Sequence, residues 1–447
     1  MRTRVAIAVL LALGLIAVGC SDGEGSTSAE TTTSTAPDDT PATDPAADDT
    51  AATTEPVELT ASFRGVTPEV IRVGVSTFDW ELLADLGVRA GIGNSEDIFV
   101  AVLEAINDRG GIHGRMLEMH TVNYLPIGTN AAEAACLELT EDQEVFVVVG
   151  GVLDDGVLCF TEFHDTAVVL VDGMTDERKD RSRAPYATVA NETAERPEAF
   201  VAAMDKLGLL EGATLGVVGS IDINELDYTF TMDALREAGY DPIGGLIGDN
   251  NDDLAASARD GELIYERFRA SGVNVTISTT GAPLEMANAI NAGYESDEWL
   301  LLNSMSGSAL SDAGVDPFYI DGAYSMNLTP VGTAGQPAMA DDPAVAACVD
   351  DVNARTGRTV PYELDVEISS LGQTLAACAI AAILEAGLTN AGPELTNDTF
   401  QAGLEAIGPI ELAGYPPASL GPGDLSASSQ FGATRFDAEN EVWEPVG

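Results

Sequence analysis

The feature that most constrains the fold of this chain is a regular alternation of short β-branched runs with helical stretches, which begins at Ile71. The run Ile71–Thr77 has the length and composition of a buried strand, and Ser95–Asp108 repeats apolar residues at helical spacing. The same alternation continues to about Ser325. Strands and helices in strict rotation predict parallel sheets that carry helices on both faces.

The alternation restarts near Pro197, which predicts two lobes. About 390 residues follow the N-terminal segments, too many for one ordinary domain and comfortable for two. We therefore predict an α/β protein with two doubly wound parallel-sheet lobes, at 66–190 and 191–325. Residues 326–447 are expected to supply hinge crossovers, helices that return to the first lobe, and a terminal hairpin over about 428–446.

The N-terminus has the arrangement of an export signal, because Arg2 and Arg4 precede an apolar run from Val5 to Val18. This run is too short to cross a bilayer comfortably as a permanent helix. Its end, Ala17-Val18-Gly19-Cys20, resembles a bacterial lipobox, in which the signal is cut before a cysteine that becomes diacylated. The resemblance implies that residues 1–20 are a lipoprotein signal peptide and that Cys20 is lipidated. The alternative is ordinary secretory cleavage nearby, with Cys20 as an unmodified thiol.

Residues 21–58 are mostly Thr, Ser, Ala, Asp, Glu and Pro, and they contain no aromatic residue. Such a segment cannot bury enough apolar surface to offset the entropy of ordering, so we expect a disordered acidic tether. The globular part would then be exported and lipid-anchored to the outer face of the cytoplasmic membrane. No further segment is expected to span the bilayer.

The formal net charge of −53 excludes proteins that bind nucleic acid or anionic membranes through a basic face. The chain has 73 acidic residues against 20 Lys and Arg. This acidity could reflect a saline habitat or a GC-rich genome, and it does not define a ligand.

Four cysteines besides Cys20 form an even set, which in an exported protein indicates disulfides. Three pairings are possible, and the order along the chain favours Cys136–Cys159 with Cys348–Cys378. A zinc site is the competing interpretation, but no pair has CxxC spacing. We therefore expect neither a metal nor a cofactor.

The segment Ala105-Ile106-Asn107-Asp108-Arg109-Gly110-Gly111-Ile112-His113-Gly114-Arg115 follows the first helix. It closely resembles the INxxGGIxGR motif of type I periplasmic binding proteins of the branched-chain amino acid (Leu/Ile/Val) class. We interpret it as structural, with Gly110 ending the helix in a left-handed conformation and Gly111 and Gly114 shaping the turn into the second strand. In many members of that family a disulfide flanks the third strand, much as Cys136 and Cys159 would here.

The resemblance implies a two-lobed clamp, joined by three crossovers, that closes on a small solute. Ligands of open parallel sheets bind beyond the carboxyl ends of the strands, so the loops at those ends are the candidate site. The candidate ligand-binding residues are Phe78, Asp79, Trp80, Asp154, Asp155, Gly173, Met174, Thr175, Glu225, Thr280 and Ser304.

Two of these candidates have alternative interpretations. In amino-acid-binding relatives the loop after the third strand holds the ligand's α-carboxylate, and the carboxylates of Asp154 and Asp155 would repel it. The alternative is that one of them caps the following helix. Trp80 either stacks on a ligand or packs its own loop.

The resemblance thus implies an extracytoplasmic solute-binding lipoprotein of an ABC importer. It would capture a small polar solute such as an amino acid or amide, act with permease subunits, and exist as a monomer. Motifs of hydrolases and nucleotide-binding enzymes are absent from the sequence, so we expect no enzymatic activity. A ligand-binding lipoprotein serving a sensor or receptor, and an extracellular hydrolase, are the alternatives.

Overall fold

The computed structural model describes residues 59–85, 93–126, 129–152, 155–171, 173–190, 195–248, 254–280, 283–302, 315–327, 339–362, 370–415, 417–427, 432–440 and 442–446. All of them belong to the compact unit Pro56–Gly447. The predicted signal peptide, Cys20 and the predicted tether lie outside the described residues.

The first sheet has five strands, all parallel, in the order β2-β1-β3-β4-β5. Its short inner strands are fully buried, which explains why they are runs of Val, Ala and Leu without alternation. The strands are β1 (Val70–Phe78), β2 (Met116–Tyr124), β3 (Val147–Gly150), β4 (Ala167–Leu170) and β5 (Tyr186–Thr188).

The second sheet has seven strands, in the order β14-β13-β10-β9-β8-β6-β7. Strands β6 to β10 pair in parallel, whereas β13 pairs antiparallel with both β10 and β14. A separate antiparallel pair joins β11 (Gly408–Ile410) to β12 (Ala418–Leu420). The strands of the second sheet are β6 (Leu215–Ser220), β7 (Ile243–Ile247), β8 (Val275–Ser278), β9 (Glu298–Leu301), β10 (Tyr324–Asn327), β13 (Gly432–Asp437) and β14 (Val442–Pro445).

Helices connect the parallel strands, as the alternation predicts. The helices are α1 (Trp80–Asp85), α2 (Glu96–Asp108), α3 (Thr129–Leu137), α4 (Gly156–Leu158), α5 (Asp176–Arg181), α6 (Glu195–Lys206), α7 (Ile221–Glu237), α8 (Leu254–Ser271), α9 (Pro283–Asn291), α10 (Pro343–Thr356), α11 (Ser370–Ala391) and α12 (Asn397–Glu405). Short π-helical turns, Glu138–Asp142 and Cys159–Phe163, continue α3 and α4. The predicted α/β class with two parallel-sheet lobes is confirmed.

At the end of the alternation the sequence predicts a strand over Ile320–Ser325, and the first half of that prediction is wrong. Asp316 accepts a hydrogen bond from the backbone N–H of Phe318 and so caps a 3-10 turn over Pro317–Ile320. Gly322 then takes a φ of 85°. Strand β10 therefore begins only at Tyr324.

We call β1–β5 with their helices the first lobe, and the seven-stranded sheet with its helices the second lobe. Helices α10 and α11 pack against α2, and α12 packs against α11, so all three belong to the first lobe. The chain then joins the second sheet again through the hairpin β13–β14. The buried apolar residues of the first lobe form one continuous core, whereas those of the second lobe form two separate clusters.

Helix α11 is long and apolar enough to cross a membrane by length and composition, alone among the helices in the part of the chain that the structure describes. However, 67% of its most apolar stretch is buried inside the protein. It contacts α2, α10, α12, β3 and β4. Its apolar character is therefore explained by its place in the core of the first lobe.

The glycine-rich turn after α2 is structural, as its sequence predicts. Gly110, Gly111 and Gly114 all have positive φ, and a Cβ on Gly111 would lie 2.0 Å from the carbonyl oxygen of Arg115. The Asn107 amide both donates to the Leu117 carbonyl at 2.9 Å and accepts from the Leu117 N–H at 2.7 Å, so it holds the start of β2 against α2.

Arg115, the last residue of this motif, is 1% exposed. Its guanidinium donates to three backbone carbonyls, those of Thr67 at 2.7 Å, Pro393 at 2.8 Å and Thr60 at 3.0 Å. Burial lowers the pKa of this guanidinium. Arg115 thus ties the segment before β1 and the loop between α11 and α12 to the same point of the first lobe.

Both predicted disulfides are present. The bond Cys136–Cys159 joins α3 to the turn that continues α4, and Cys348–Cys378 joins α10 to α11. All four residues lie in the first lobe.

Candidate functional site

The order of the first sheet places a crevice at the carboxyl ends of β1 and β3. The chain leaves β1 toward β2 on one side and leaves β3 toward β4 on the other, so the connections diverge between β1 and β3. Ligands of open α/β sheets bind at such a switch point. A pocket of about 130 Å³ lies there, lined by Ser76, Thr77, Phe78, Trp80, Ser95, Phe99, Gly151, Val171 and Gln373.

Aromatic rings form one wall of this pocket, which we call the switch-point pocket. The ring of Phe78 meets Trp80 edge-on at 5.6 Å and Tyr124 edge-on at 5.4 Å between centroids. A Cβ on Gly151 would lie 3.2 Å from the Phe78 ring, so this glycine lets the ring sit close to the backbone after β3. Trp80 thus packs on Phe78 and also lines the pocket, and its stacking on a ligand stays a prediction.

Ser95 is a pocket residue that sequence reasoning missed. It precedes α2 at the N-cap position, but its hydroxyl makes no capping hydrogen bond. The side chain is 1% exposed, and Oγ has no hydrogen-bond partner among the described residues. Buried hydroxyls are normally paired, so an unpaired one that lines a pocket is a candidate for contact with a ligand. The only available signal was a serine at a helix start, which ordinarily predicts a cap.

Acidic residues surround this edge of the first lobe. Asp79 accepts a hydrogen bond from the Leu82 N–H at 3.0 Å and so supports α1. Burial raises the pKa of Glu96, and the charges of Asp97 and Asp79 raise it further. Asp97 itself is paired with Arg358 at 2.8 Å.

The interpretation that Asp155 caps α4 is wrong. The Asp155 side chain makes no capping hydrogen bond; its Oδ1 accepts from Nε of Arg178 at 3.0 Å. The same guanidinium donates to the Gly173 carbonyl at 2.9 Å. Arg178, which sequence reasoning missed, therefore neutralises Asp155 and links the loops after β3 and β4. Asp154 lies outside the described residues.

The other candidates of the first lobe serve its own structure. The Thr175 hydroxyl accepts from the Arg178 N–H at 3.2 Å and caps α5. Met174 is 2% exposed and lines a different pocket, beside β5. Gly173 has a φ of 88° and supplies the carbonyl that Arg178 holds.

The second lobe has its own set of polar residues at the strand ends. Thr280 follows β8 and is 8% exposed, whereas Glu225 lies exposed on α7. Ser304 lies outside the described residues.

Arg196 and Asp227 are further residues of this lobe that sequence reasoning missed. Arg196 donates to the carbonyl of Leu302, directly after β9, at 3.3 Å. Its Nη1 lies 3.9 Å from Oδ2 of Asp227, and the two side chains are 12% and 5% exposed. The lobe therefore holds a nearly buried cation and anion at its strand-end edge. The sequence offered only a weak indication of this pair, because the one unusual feature is an arginine in a chain with few basic residues.

No protein-family profile matches the sequence, and no curated protein is significantly similar to it. Many solved structures are similar in fold. A possible leucine/isoleucine/valine-binding protein from Rhodopirellula baltica SH 1 matches with a TM-score of 0.57 and 16% identity, over 85% of this chain and 96% of that one.

Two further structures broaden the comparison. An ABC transporter solute-binding protein from R. palustris, in complex with 4-hydroxybenzoate, has a TM-score of 0.57 and 13% identity, covering 84% of this chain and 95% of its own. A fatty acid ABC transporter substrate-binding protein from Thermomonospora curvata has a TM-score of 0.56 and 15% identity, covering 87% and 94%. The sequence resemblance and the structural matches agree, and the chain has the two-lobed fold of type I periplasmic binding proteins.

Proposed function

We propose that this protein is the extracytoplasmic solute-binding component of an ABC importer, and that it captures a small solute between its lobes. The observation that carries the proposal is the buried hydroxyl of Ser95 in the switch-point pocket, which has no partner in the part of the chain that the structure describes. A buried polar group without a partner costs about 1–3 kcal/mol, and a bound solute would recover part of that cost. Proteins of the same fold support the proposal: a possible leucine/isoleucine/valine-binding protein, a solute-binding protein in complex with 4-hydroxybenzoate, and a fatty acid ABC transporter substrate-binding protein.

The chemistry of the two strand-end edges favours a solute with an apolar part and a charged part. Phe78 and Trp80 offer apolar ring surface in the first lobe. Arg196 and Asp227 offer opposite charges in the second. Arg178 pairs with Asp155, which leaves Asp154 as the one acidic side chain of the loop after β3 that would oppose a carboxylate-bearing solute such as an amino acid.

The proposed contacts keep most of the candidates and add those found in the structure. Asp155 and Gly173 are left out because Arg178 links them to each other at the loops after β3 and β4. Thr175 is left out because it caps α5, and Met174 because it lines a different pocket. The proposed ligand contacts are Phe78, Asp79, Trp80, Ser95, Asp154, Arg196, Glu225, Asp227, Thr280 and Ser304.

A thermal-shift screen of the mature protein against amino acids, amides and small carboxylic acids tests this proposal. A solute that binds only the folded state adds about 2.7 kcal/mol of stability at 100 times its dissociation constant. The Ser95→Ala variant should bind the identified solute about fivefold more weakly, as for the loss of one hydrogen bond of about 1 kcal/mol. The control is Ser271→Ala, an exposed position at the end of α8. Equal affinity of Ser95→Ala and the wild type would contradict the proposed site.

We further propose that the protein is exported, is held by a diacylated Cys20 at the outer face of the cytoplasmic membrane, and docks as a monomer on permease subunits. Replacing Cys20 by Ser should release it from the membrane fraction, because a covalent lipid supplies the anchoring energy. Retention of Cys20→Ser in membranes after a carbonate wash would refute the lipid anchor and leave the solute-binding role untouched.

A further inference from the structure

A second pocket of the first lobe lies away from the switch point. Its volume is about 290 Å³, and it is lined by Met174, Lys179, Ser182, Arg183, Ala184, Pro185, Tyr186, Asn397, Asp398, Gln401, Gly423 and Leu425. The lining residues of the sheet precede or begin β5, so the pocket lies toward the amino end of that strand. No residue is shared with the switch-point pocket. We call it the β5 pocket.

The β5 pocket lies in the most basic stretch of a very acidic protein. Of the 20 Lys and Arg residues, four fall within residues 178–183. Arg178 and Arg181 are engaged with Asp155 and Glu162. The remaining two, Lys179 and Arg183, line the pocket. Lys179 donates to the Gly423 carbonyl at 2.7 Å, which holds its ammonium at the pocket wall.

The rest of the pocket is apolar at its base and polar at one edge. Met174, Ala184 and Tyr186 are buried beneath it. At the edge, Asn397 begins α12 and has a buried Oδ1 without a hydrogen-bond partner among the described residues. Asp398, the one carboxylate of the lining, is exposed. The two cations outnumber this carboxylate, and the unpaired amide oxygen could accept from a donor.

We propose that the β5 pocket binds a small organic carboxylate with an apolar body, at a site separate from the solute cleft. The carboxylate pairs with Lys179 and Arg183, because charge-assisted hydrogen bonds are the strong ones. The apolar body covers Met174 and Tyr186. Since every lining residue belongs to the first lobe, binding here does not require the lobes to close.

The chain offers a direct readout, because Lys179 and Lys206 are its only lysines. Lys206 ends α6 in the second lobe and is exposed, so it serves as an internal control. The full-length protein is labelled with an amine reagent in the presence of benzoate or of its neutral isostere benzamide, and labelling of each lysine is measured by mass spectrometry. Benzoate should slow labelling of Lys179 several-fold and leave Lys206 unchanged, while benzamide protects neither.

The Arg183→Gln variant separates a pocket effect from a general one. Arg183 is exposed, and its side chain makes no hydrogen bond or ion pair with another described residue, so the change should leave the fold intact. The variant should need about fivefold more benzoate for the same protection of Lys179, as for the loss of an ion pair worth about 1 kcal/mol. The Trp80→Ala variant of the switch-point pocket should keep full protection. Equal protection by benzamide, or protection that survives Arg183→Gln or is lost in Trp80→Ala, would overturn the proposal.

Discussion

The two lobes follow the same alternation of strand and helix, but different interactions hold them together. In the first lobe a continuous core is crossed by both disulfides and by the buried guanidinium of Arg115. In the second lobe the core is divided, and one of its parts is an aromatic cluster that includes Tyr265, Phe268, Tyr294 and Trp299.

The two lobes therefore differ in how strongly their stability depends on single interactions. The first lobe depends on a few strong connections between distant segments, whereas the second depends on many ring contacts and on hydroxyl hydrogen bonds such as that between Thr276 and Tyr294 at 2.7 Å. We therefore expect single substitutions to have larger effects in the first lobe. All cysteines in the described part of the chain lie in the first lobe and form disulfides. We therefore expect reducing agents to lower the stability of the first lobe and not that of the second.

The largest effect is expected from Arg115→Met. The change leaves three part-buried backbone carbonyls without their donor, and a buried group left unsatisfied costs about 1–3 kcal/mol. We expect the free energy of unfolding to fall by about 3–5 kcal/mol. Urea unfolding of the variant measures it. The control is Arg109→Met, which removes an exposed ion pair with Glu385 and should change stability by less than about 1 kcal/mol. Equal effects would show that Arg115 is not a strong connection.

The next effect is the loss of one disulfide. On the chain-entropy model, bonds that close separations of 23 and 30 residues each stabilise the fold by about 3 kcal/mol. Paired replacements by Ala, at Cys136 with Cys159 or at Cys348 with Cys378, should therefore lower stability by similar amounts. Hydrogen exchange should show the loss of protection in the first lobe, and an equal loss in β6–β9 would break the comparison between the lobes.

A smaller effect is expected in the second lobe from Tyr294→Phe. The variant keeps the ring contacts and removes the hydrogen bond to Thr276, so we expect a loss of about 1 kcal/mol in urea unfolding. Tyr240→Phe, which removes the hydrogen bond to exposed Asp205, is the matched control and should be nearly neutral. A loss at Tyr294 as large as that at Arg115 would contradict the view that this lobe shares its stability among many contacts.

The smallest effect is a pH dependence at Glu298 in β9. Burial raises the pKa of this carboxyl group. The folded state therefore binds the proton more tightly than the unfolded state, and the stabilisation by the protonated form is lost as the pH rises through the folded pKa. Glu298→Gln should thus be slightly more stable than the wild type at neutral pH, and the difference should vanish in acid.

Melting curves recorded at a series of pH values measure this difference in stability, with the exposed Glu295→Gln as the control. A difference that grows in acid would be the wrong sign.

Much of the fold was predictable because local sequence patterns determine its elements. The buried valine runs of β3 and β4 and the glycine turn after α2 predict both element type and connection. The cysteine pairing followed from order along the chain. The start of β10 was missed because a capped turn and Gly322 override the apolar pattern.

The candidate site was less predictable because it depends on which side chains meet. Topology alone led to Phe78 and Trp80, which follow a strand end directly. Ser95 precedes α2, and what makes it a candidate is the capping hydrogen bond that its hydroxyl does not make. Arg196 lies in α6, and what makes it a candidate is its hydrogen bond to the carbonyl of Leu302, which follows β9. Arg178 changes the charge of the loop after β3 from a position more than twenty residues away. None of these relations has a signature in local sequence.

The central claim is that one solute is held by strand-end residues of both lobes. This claim is tested by calorimetric titration with the solute that the screen identifies. Ser95→Ala changes a contact of the first lobe, and Arg196→Gln changes one of the second lobe. If Arg196→Gln lowers the midpoint of unfolding, Thr280→Val takes its place. Both variants should bind the same solute at least about fivefold more weakly than the wild type, since each loses a contact worth about 1 kcal/mol. Wild-type affinity in either folded variant would contradict a site shared between the lobes.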